Sequence, residues 1–216
     1  MAYDLEEQEQ IDKLKAWWKA YGNLVTWLLI IALSIYSAWA GWKYYQRSQA
    51  AQASQLYEEL SRAVNAKDNA KVLRAATDME SRFSGTAYAQ MAGLIASRSA
   101  FETGDLNTAK AQLQWVAGNA IDDEYKAMAK IRLAGILLDE KSYDEAIKLL
   151  AGNFPESYVA LVADRKGDIL VAQSKLDEAR AAYQLALDKT EASDPGRTLI
   201  QLKLDGIGGS PKKAAS

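Results

Sequence analysis

Between residues 20 and 42 the chain carries no Asp, Glu, Lys or Arg, and this stretch decides the solvent in which the rest must fold. Residues 23–42 alone would reach about 30 Å as an α-helix, the thickness of a bilayer's hydrocarbon core. Trp17, Trp18, Tyr21 and Trp27 stand at one end and Trp39, Trp42, Tyr44 and Tyr45 at the other, as aromatic rings do at two lipid–water interfaces. The expected anchor presents Leu24, Trp27, Leu28, Ile31, Ile35, Trp39 and Trp42 to membrane lipid. Two other readings exist: a buried core helix, and a cleaved signal peptide with Ala38 and Ala40 as its A-x-A site. The long, mostly acidic leader of residues 1–19 and an apolar stretch beyond the roughly 7–15 residues of a signal core favour the anchor. Lys13, Lys15 and Lys19 precede the span and Lys43 and Arg47 follow it, a slight positive-inside bias toward a cytoplasmic N-terminus. An uncleaved span ahead of a long domain acts as a signal anchor. In a bacterium this gives a single-pass inner-membrane protein with its main domain in the periplasm.

The 216 residues include no Cys and no His. Thiol nucleophiles, thiolate and imidazole metal ligands and the usual general base near neutral pH are thereby excluded, so no catalytic residue, metal site or cofactor is expected. The formal net charge of −2 lacks the basic excess that general nucleic-acid binding needs. With only three Pro, frequent Ala and no strand-like alternation, the expected class is all-α.

The part beyond the span repeats itself. Leu106, Ala109, Leu113 and Val116 return as Tyr143, Ala146, Leu150 and Asn153, and again as Leu176, Ala179, Tyr183 and Ala186. Each set marks one face of a helix. The alanines lie 37 and 33 residues apart, with a fainter copy at Val72, Ala75, Met79 and Arg82 a further 34 upstream. A period near 34 residues is that of tetratricopeptide repeats, two antiparallel helices per unit. Twelve positions before each alanine stands another small residue, Ala63, Ser97, Ala134 or Gly167, which lets paired helices approach closely. Gly104-Asp105, Ser142-Tyr143-Asp144-Glu145 and Ser174-Lys175-Leu176-Asp177 read as turns and caps, the second as a capping box and the third as a close variant. Asp194-Pro195 would cap a final helix ended by Gly206. The expected organisation is a cytoplasmic leader (1–19), a transmembrane helix (20–42), a helical stem (43–55), a solenoid of about four helical hairpins with a capping helix (56–206), and a disordered tail (207–216).

In such a solenoid the first helices of successive units line a concave surface. The repeat frame directs Met91, Leu94, Arg98, Glu102, Met128, Ile131, Asp139, Leu161, Asp164 and Asp168 toward it. Met and Leu beside a few charges suit weak, varied binding of unfolded segments; the plainer alternative for any one of them is core or solvated surface. Asp164 with Asp168, and Asp122 with Asp123 and Glu124, invite an acid–base or metal reading. For Asp122 to Glu124 support of a helix start through its dipole is the stronger account.

The chain resembles the YfgM-type family of ancillary Sec translocon subunits over nearly its whole length. The resemblance rests on Thr86-Ala87-Tyr88-Ala89, on Gly104-Asp105-Leu106 through Ala109-Lys110-Ala111-Gln112-Leu113-Gln114-Trp115-Val116, and on Ile131-Arg132-Leu133-Ala134. Gly167-Asp168-Ile169-Leu170, Glu178-Ala179-Arg180-Ala181-Ala182-Tyr183 and Gln201-Leu202-Lys203-Leu204-Asp205 extend it. Ser174 stands where the family pattern favours Gly, which puts one turn in question. The resemblance implies a periplasmic tetratricopeptide-like domain whose partners are Sec translocon subunits, a membrane-anchored chaperone of the prolyl-isomerase type, and exported client proteins. A membrane-tethered scaffold for envelope assembly or division shares the same sequence features, since repeats do not name their ligand.

Overall fold

The structure, a computed structural model, describes residues 2–209, with side chains from residue 9 onward. It comprises two compact units, Met1–Gln49 and Ala50–Ser216. Nine α-helices occur among the described residues: α1 (Ala2–Asn65), α2 (Asn69–Arg82), α3 (Ala87–Glu102), α4 (Leu106–Asn119), α5 (Asp123–Asp139), α6 (Tyr143–Leu149), α7 (Val159–Ala172), α8 (Leu176–Lys189) and α9 (Gly196–Gly206), with one 3-10 turn at Glu156–Tyr158. No strand occurs among the described residues.

In the first unit the chain is helical, long and apolar enough to cross a membrane. Leu24, Trp27, Leu28, Ile31, Ile35, Trp39 and Trp42 are each more than half exposed. A core helix of a water-soluble protein would bury them, so that alternative fails. The Thr26 hydroxyl donates to the Gly22 carbonyl at 2.8 Å, which satisfies one of the span's polar side chains within its own helix, as an apolar solvent requires.

In the second unit the core forms three successive clusters. Ala53, Leu60 and Ala63 of α1 pack with Val72, Ala76 and Met79 of α2 and Ala89, Ala92 and Ala96 of α3. The central cluster joins α3 to α7 through Leu113, Val116, Leu133, Leu137, Leu150 and Ile169. The third holds Ala163, Ala179, Tyr183, Leu187, Ile200 and Leu204. Trp115 and Leu73 pack against the first two clusters at once. Burial therefore passes from neighbour to neighbour, the pattern of a solenoid.

The small residues predicted from the period all sit inside these contacts. Ala63, Ser97, Ala134, Gly167, Ala75, Ala109, Ala146 and Ala179 are buried. A Cβ added at Gly167 would fall on the Tyr183 ring, and one added at Gly93 would meet Val116 Cγ2 at 2.6 Å. The periodicity fails at two places. α6 ends at Leu149, so Asn153 lies beyond it and is exposed, with Gly152 and Pro155 stopping the helix. Arg82 is exposed, and Phe83 next to it takes the buried position.

The turns between paired helices are four copies of one motif. Lys67, Gly104, Lys141 and Ser174 all have positive φ, between 53° and 80°. In each turn that residue's N–H bonds back three residues, and the next N–H bonds back five. Ser174 N reaches Val171 O at 2.9 Å and Lys175 N reaches Leu170 O at 2.9 Å; Asp105 N reaches Ala100 O at 2.9 Å and Ser142 N reaches Leu137 O at 2.8 Å. This is the Schellman arrangement, which uses the orphan carbonyls of the first helix. The capping-box expectation is corrected here. Ser174 is the left-handed residue itself, and the following helix starts from Lys175, whose ammonium cannot accept a cap bond. Ser142 is at the N-cap but its hydroxyl makes no cap bond; its own N–H, which a box would offer to Glu145, is already given to Leu137 O. Asp68 and Asp105, in contrast, accept from Lys71 N at 3.1 Å and Thr108 N at 3.0 Å. Asp122 caps α5 through Glu124 N at 2.9 Å. Asp194 accepts from Gly196 N at 2.7 Å at the start of α9. Of the tail expected to be disordered, residues 210–216 lie outside the described residues.

Candidate binding face

The predicted face divides between two clefts, the core and an ion-paired cluster. Met128, Ile131 and Leu161 come together in one cleft of about 500 Å³ with Glu124, Arg132, Ser157 and Tyr158. Leu161 is 51% exposed, and Met128 and Ile131 are half-buried at the edge of the central core. α5 supplies the first two from adjacent turns, and the 3-10 turn before α7 swings Tyr158 against them. Burial first, then Glu124 and Asp122 nearby, holds the Tyr158 phenol above its ordinary pKa, with Arg132 opposing. The phenol is therefore a neutral donor at any physiological pH.

Arg98 and Asp139 line a neighbouring cleft of about 330 Å³, together with Ser97, Phe101, Leu113, Arg132, Gly135, Ile136 and Arg165. Arg98 Nε donates to Glu102 Oε1 at 2.8 Å along the same helix, both side chains being exposed. Such a pair contributes little and yields readily to a ligand. Arg132 lines both clefts and makes them one surface across α3, α5 and α7. Met91 is half-buried near the start of α3 and lines neither cleft, and Leu94 belongs to the central core at 6% exposed.

Asp164 and Asp168 have a different place. Lys203 Nζ of α9 lies 2.8 and 2.9 Å from the two oxygens of Asp164 and 2.8 Å from Asp168 Oδ1. The Tyr183 hydroxyl donates to Asp168 Oδ1 at 2.9 Å. Arg165 Nη1 lies 3.5 Å from Asp168 Oδ2, and the Lys203 ammonium sits 5.7 Å above the Tyr183 ring. Burial, followed by the two carboxylates, drives the Tyr183 phenol far up and keeps it protonated as a donor. The pair of carboxylates thus fastens the capping helix to α7 and α8. No group of three or more His, Cys, Asp or Glu side chains able to hold a metal occurs among the described residues.

Sequence reasoning missed Phe101, Arg132, Tyr158 and Arg165. Arg132 and Arg165 each stand two positions before a small repeat residue, Ala134 and Gly167, so the period itself was the available signal.

A family profile described as a tetratricopeptide repeat-like domain matches residues 15–209. The chain is 32% identical to the ancillary SecYEG translocon subunit of Neisseria gonorrhoeae over 96% of its own length and all of the relative. It is 28% identical to the protein of that name from Haemophilus influenzae, again over 96% and 100%, and 25% identical to that from Escherichia coli K12, over 93% and 96%. No solved structure matches. The anchor-like helix, the hairpin solenoid and full-length similarity to these relatives agree, and the chain belongs to the family of ancillary SecYEG translocon subunits with a tetratricopeptide repeat-like domain.

Proposed function

We propose that this protein is a single-pass inner-membrane subunit that associates with the Sec translocon through its N-terminal helix and receives extended segments of exported proteins on the α3–α5–α7 face. The observation that carries the reading is the cleft in which half-buried Met128, Ile131 and Tyr158 meet an exposed Leu161 in one concave, mainly apolar site. Flexible Met and Leu groups accept many sequences at low affinity, which suits passing clients on. The N-terminus is cytoplasmic and the repeat domain periplasmic, next to a membrane-anchored chaperone of the prolyl-isomerase type that takes over the client. The protein acts by binding and not by turnover. Support comes from the names of its relatives and the exposed apolar helix.

The test is affinity purification of the intact protein and of a version lacking residues 1–42 from native membranes in mild detergent, followed by mass spectrometry. Translocon subunits and a membrane-anchored isomerase accompany the intact form alone if the reading is right. Partners common to both forms, with translocon subunits in neither, would make the protein an envelope scaffold instead. Protection of the repeat domain from protease in intact cells, and its loss in spheroplasts, checks the orientation.

A further inference from the structure

We propose that the guanidinium groups of Arg98, Arg132 and Arg165 make the α3–α5–α7 face selective for extended peptide segments that carry carboxylates beside a large apolar residue. The inference rests on the peptide-binding reading above and names the chemistry of the ligand.

The smaller cleft sets three guanidinium side chains against one carboxylate, Asp139. Elsewhere in the repeat domain Lys110, Lys126, Lys189 and Lys203 each hold a carboxylate within 2.8 Å. Arg132 is exposed and makes no ion pair among the described residues. Arg165 lies over Gly135, with its Cζ 3.5 Å from where a Cβ would be. Its Nε is buried and has no hydrogen-bond partner, and its one carboxylate contact, at 3.5 Å, is to an Asp168 already held by Lys203 and Tyr183. Arg98 is tied only to an exposed Glu102. An unmatched buried donor is costly, and a carboxylate is the acceptor whose planar geometry fits a guanidinium fork.

Arg132 and Arg165 occupy the same repeat position, 33 residues apart on α5 and α7. Packed helices lie about 8–10 Å apart, and one three-residue turn of extended polyproline II chain covers about 9 Å and returns the side chain to the same face. Two acidic residues three positions apart therefore match the row. Phe101, 46% exposed on the same wall, and the adjoining Met128, Ile131 and Leu161 supply the apolar contact. Carboxylates held by Arg132 and Arg165 together, in the planar geometry a guanidinium fork favours, should give a preference of about tenfold.

The experiment uses the full chain in nanodiscs of zwitterionic phosphatidylcholine and fluorescence anisotropy of labelled extended peptides. One peptide carries Leu and two Glu three residues apart, and its analogue carries Gln at both sites. The expected result is about tenfold tighter binding of the Glu peptide, a preference that falls as salt rises. It should shrink about fivefold or more in Arg132→Gln and recover in part in Arg132→Lys. Arg132 is exposed and makes no hydrogen bond or ion pair among the described residues, so circular dichroism of these variants should match the parent. Equal binding of both peptides by the parent would overturn the charge selectivity and leave the peptide-binding face standing. Binding of neither peptide would overturn both. Undiscriminated peptides together with Arg132-dependent binding to phosphatidylglycerol nanodiscs would overturn the proposal in favour of lipid headgroups.

Discussion

Ser174→Gly should stabilise the repeat domain, which is the opposite of what glycine does almost anywhere else in a helical protein. Ser174 has a φ of 63°, where the Cβ of an L-residue crowds the following carbonyl at a cost of about 1–2 kcal/mol. Glycine removes that crowding but loses more chain entropy on folding, about 0.5–1 kcal/mol. The serine gives up no cap, because the helix that follows starts from Lys175 and no side-chain bond is made there. Both backbone bonds of the turn, Ser174 N to Val171 O and Lys175 N to Leu170 O, survive the change. The net gain should be about 0.5–1 kcal/mol. Gly104 is the internal control, since its φ is 80° in the same motif; Gly104→Ala should cost about 1 kcal/mol. Urea unfolding of the full chain in mild detergent, followed at 222 nm, reads both as midpoint shifts of opposite sign. With a urea slope of about 2 kcal/mol/M, each shift is roughly 0.3–0.5 M. An unchanged or lower midpoint for Ser174→Gly, with Gly104→Ala neutral, would refute the claim that the left-handed turn is strained at Ser174.

Three other expectations follow from packing and charge. Gly167→Ala and Gly93→Ala should destabilise by about 1–3 kcal/mol, because their new Cβ atoms meet the Tyr183 ring and Val116. Gly135→Ala, whose Cβ would find Arg165 Cζ at an ordinary 3.5 Å, should gain about 0.5–1 kcal/mol of helix propensity; thermal unfolding that ranked all three alike would contradict the packing. Half-buried Glu80, with burial the main cause and the Gln112 amide opposing it, is raised from 4.5 to about 7. Its folded form holds the proton more tightly, so its contribution to stability is complete below about pH 4.5 and is lost as pH climbs through about 7. Glu80→Gln should therefore be more stable than the parent at pH 8, by about 1–2 kcal/mol after solvent screening, and equal to it near pH 4.5; urea midpoints at both values decide it. Lys203→Ala leaves Asp164 and Asp168 without their shared ammonium at side chains only 19% and 18% exposed, and should cost about 1–3 kcal/mol. Hydrogen exchange should then rise in α9 first; unchanged α9 protection would show that the ion pairs do not hold it.

How much of this was legible beforehand depends on how local the cause is. Ala109, Ala146 and Ala179 are forced small by helices packed against them, so the period shows through in every unit whatever else changes. The anchor is legible for the same reason: a run of uncharged side chains with aromatic ends answers to its solvent alone. The caps are half legible. Asp68 and Asp105 bond to their own helices three residues on, whereas Ser142 makes no side-chain cap bond and its N–H, like theirs, is given back to the preceding helix and is closed to Glu145, a use of the N–H that a four-residue pattern does not contain. Asp164 and Asp168 sit at correct positions on α7, yet their role is set by Lys203, 39 and 35 residues later. Spacing puts two carboxylates on a helix face; it cannot say that a capping helix will bring them an ammonium.

The same distinction bears on the face itself. A repeat requires small residues at helix contacts and tolerates almost anything on the open side, so a side chain that recurs there has no packing reason to recur. Arg132 and Arg165 recur at one repeat position, whereas Ile95 holds that position one unit earlier. Arg98, one turn further along α3, restores a guanidinium to the same cleft. A ligand can be matched by charge placed from either turn, since what it meets is a surface and not a register. A side chain that leaves the repeat frame but returns to the same cleft, as Arg98 does, therefore points to function in a solenoid alongside those that keep to it, as Arg132 and Arg165 do.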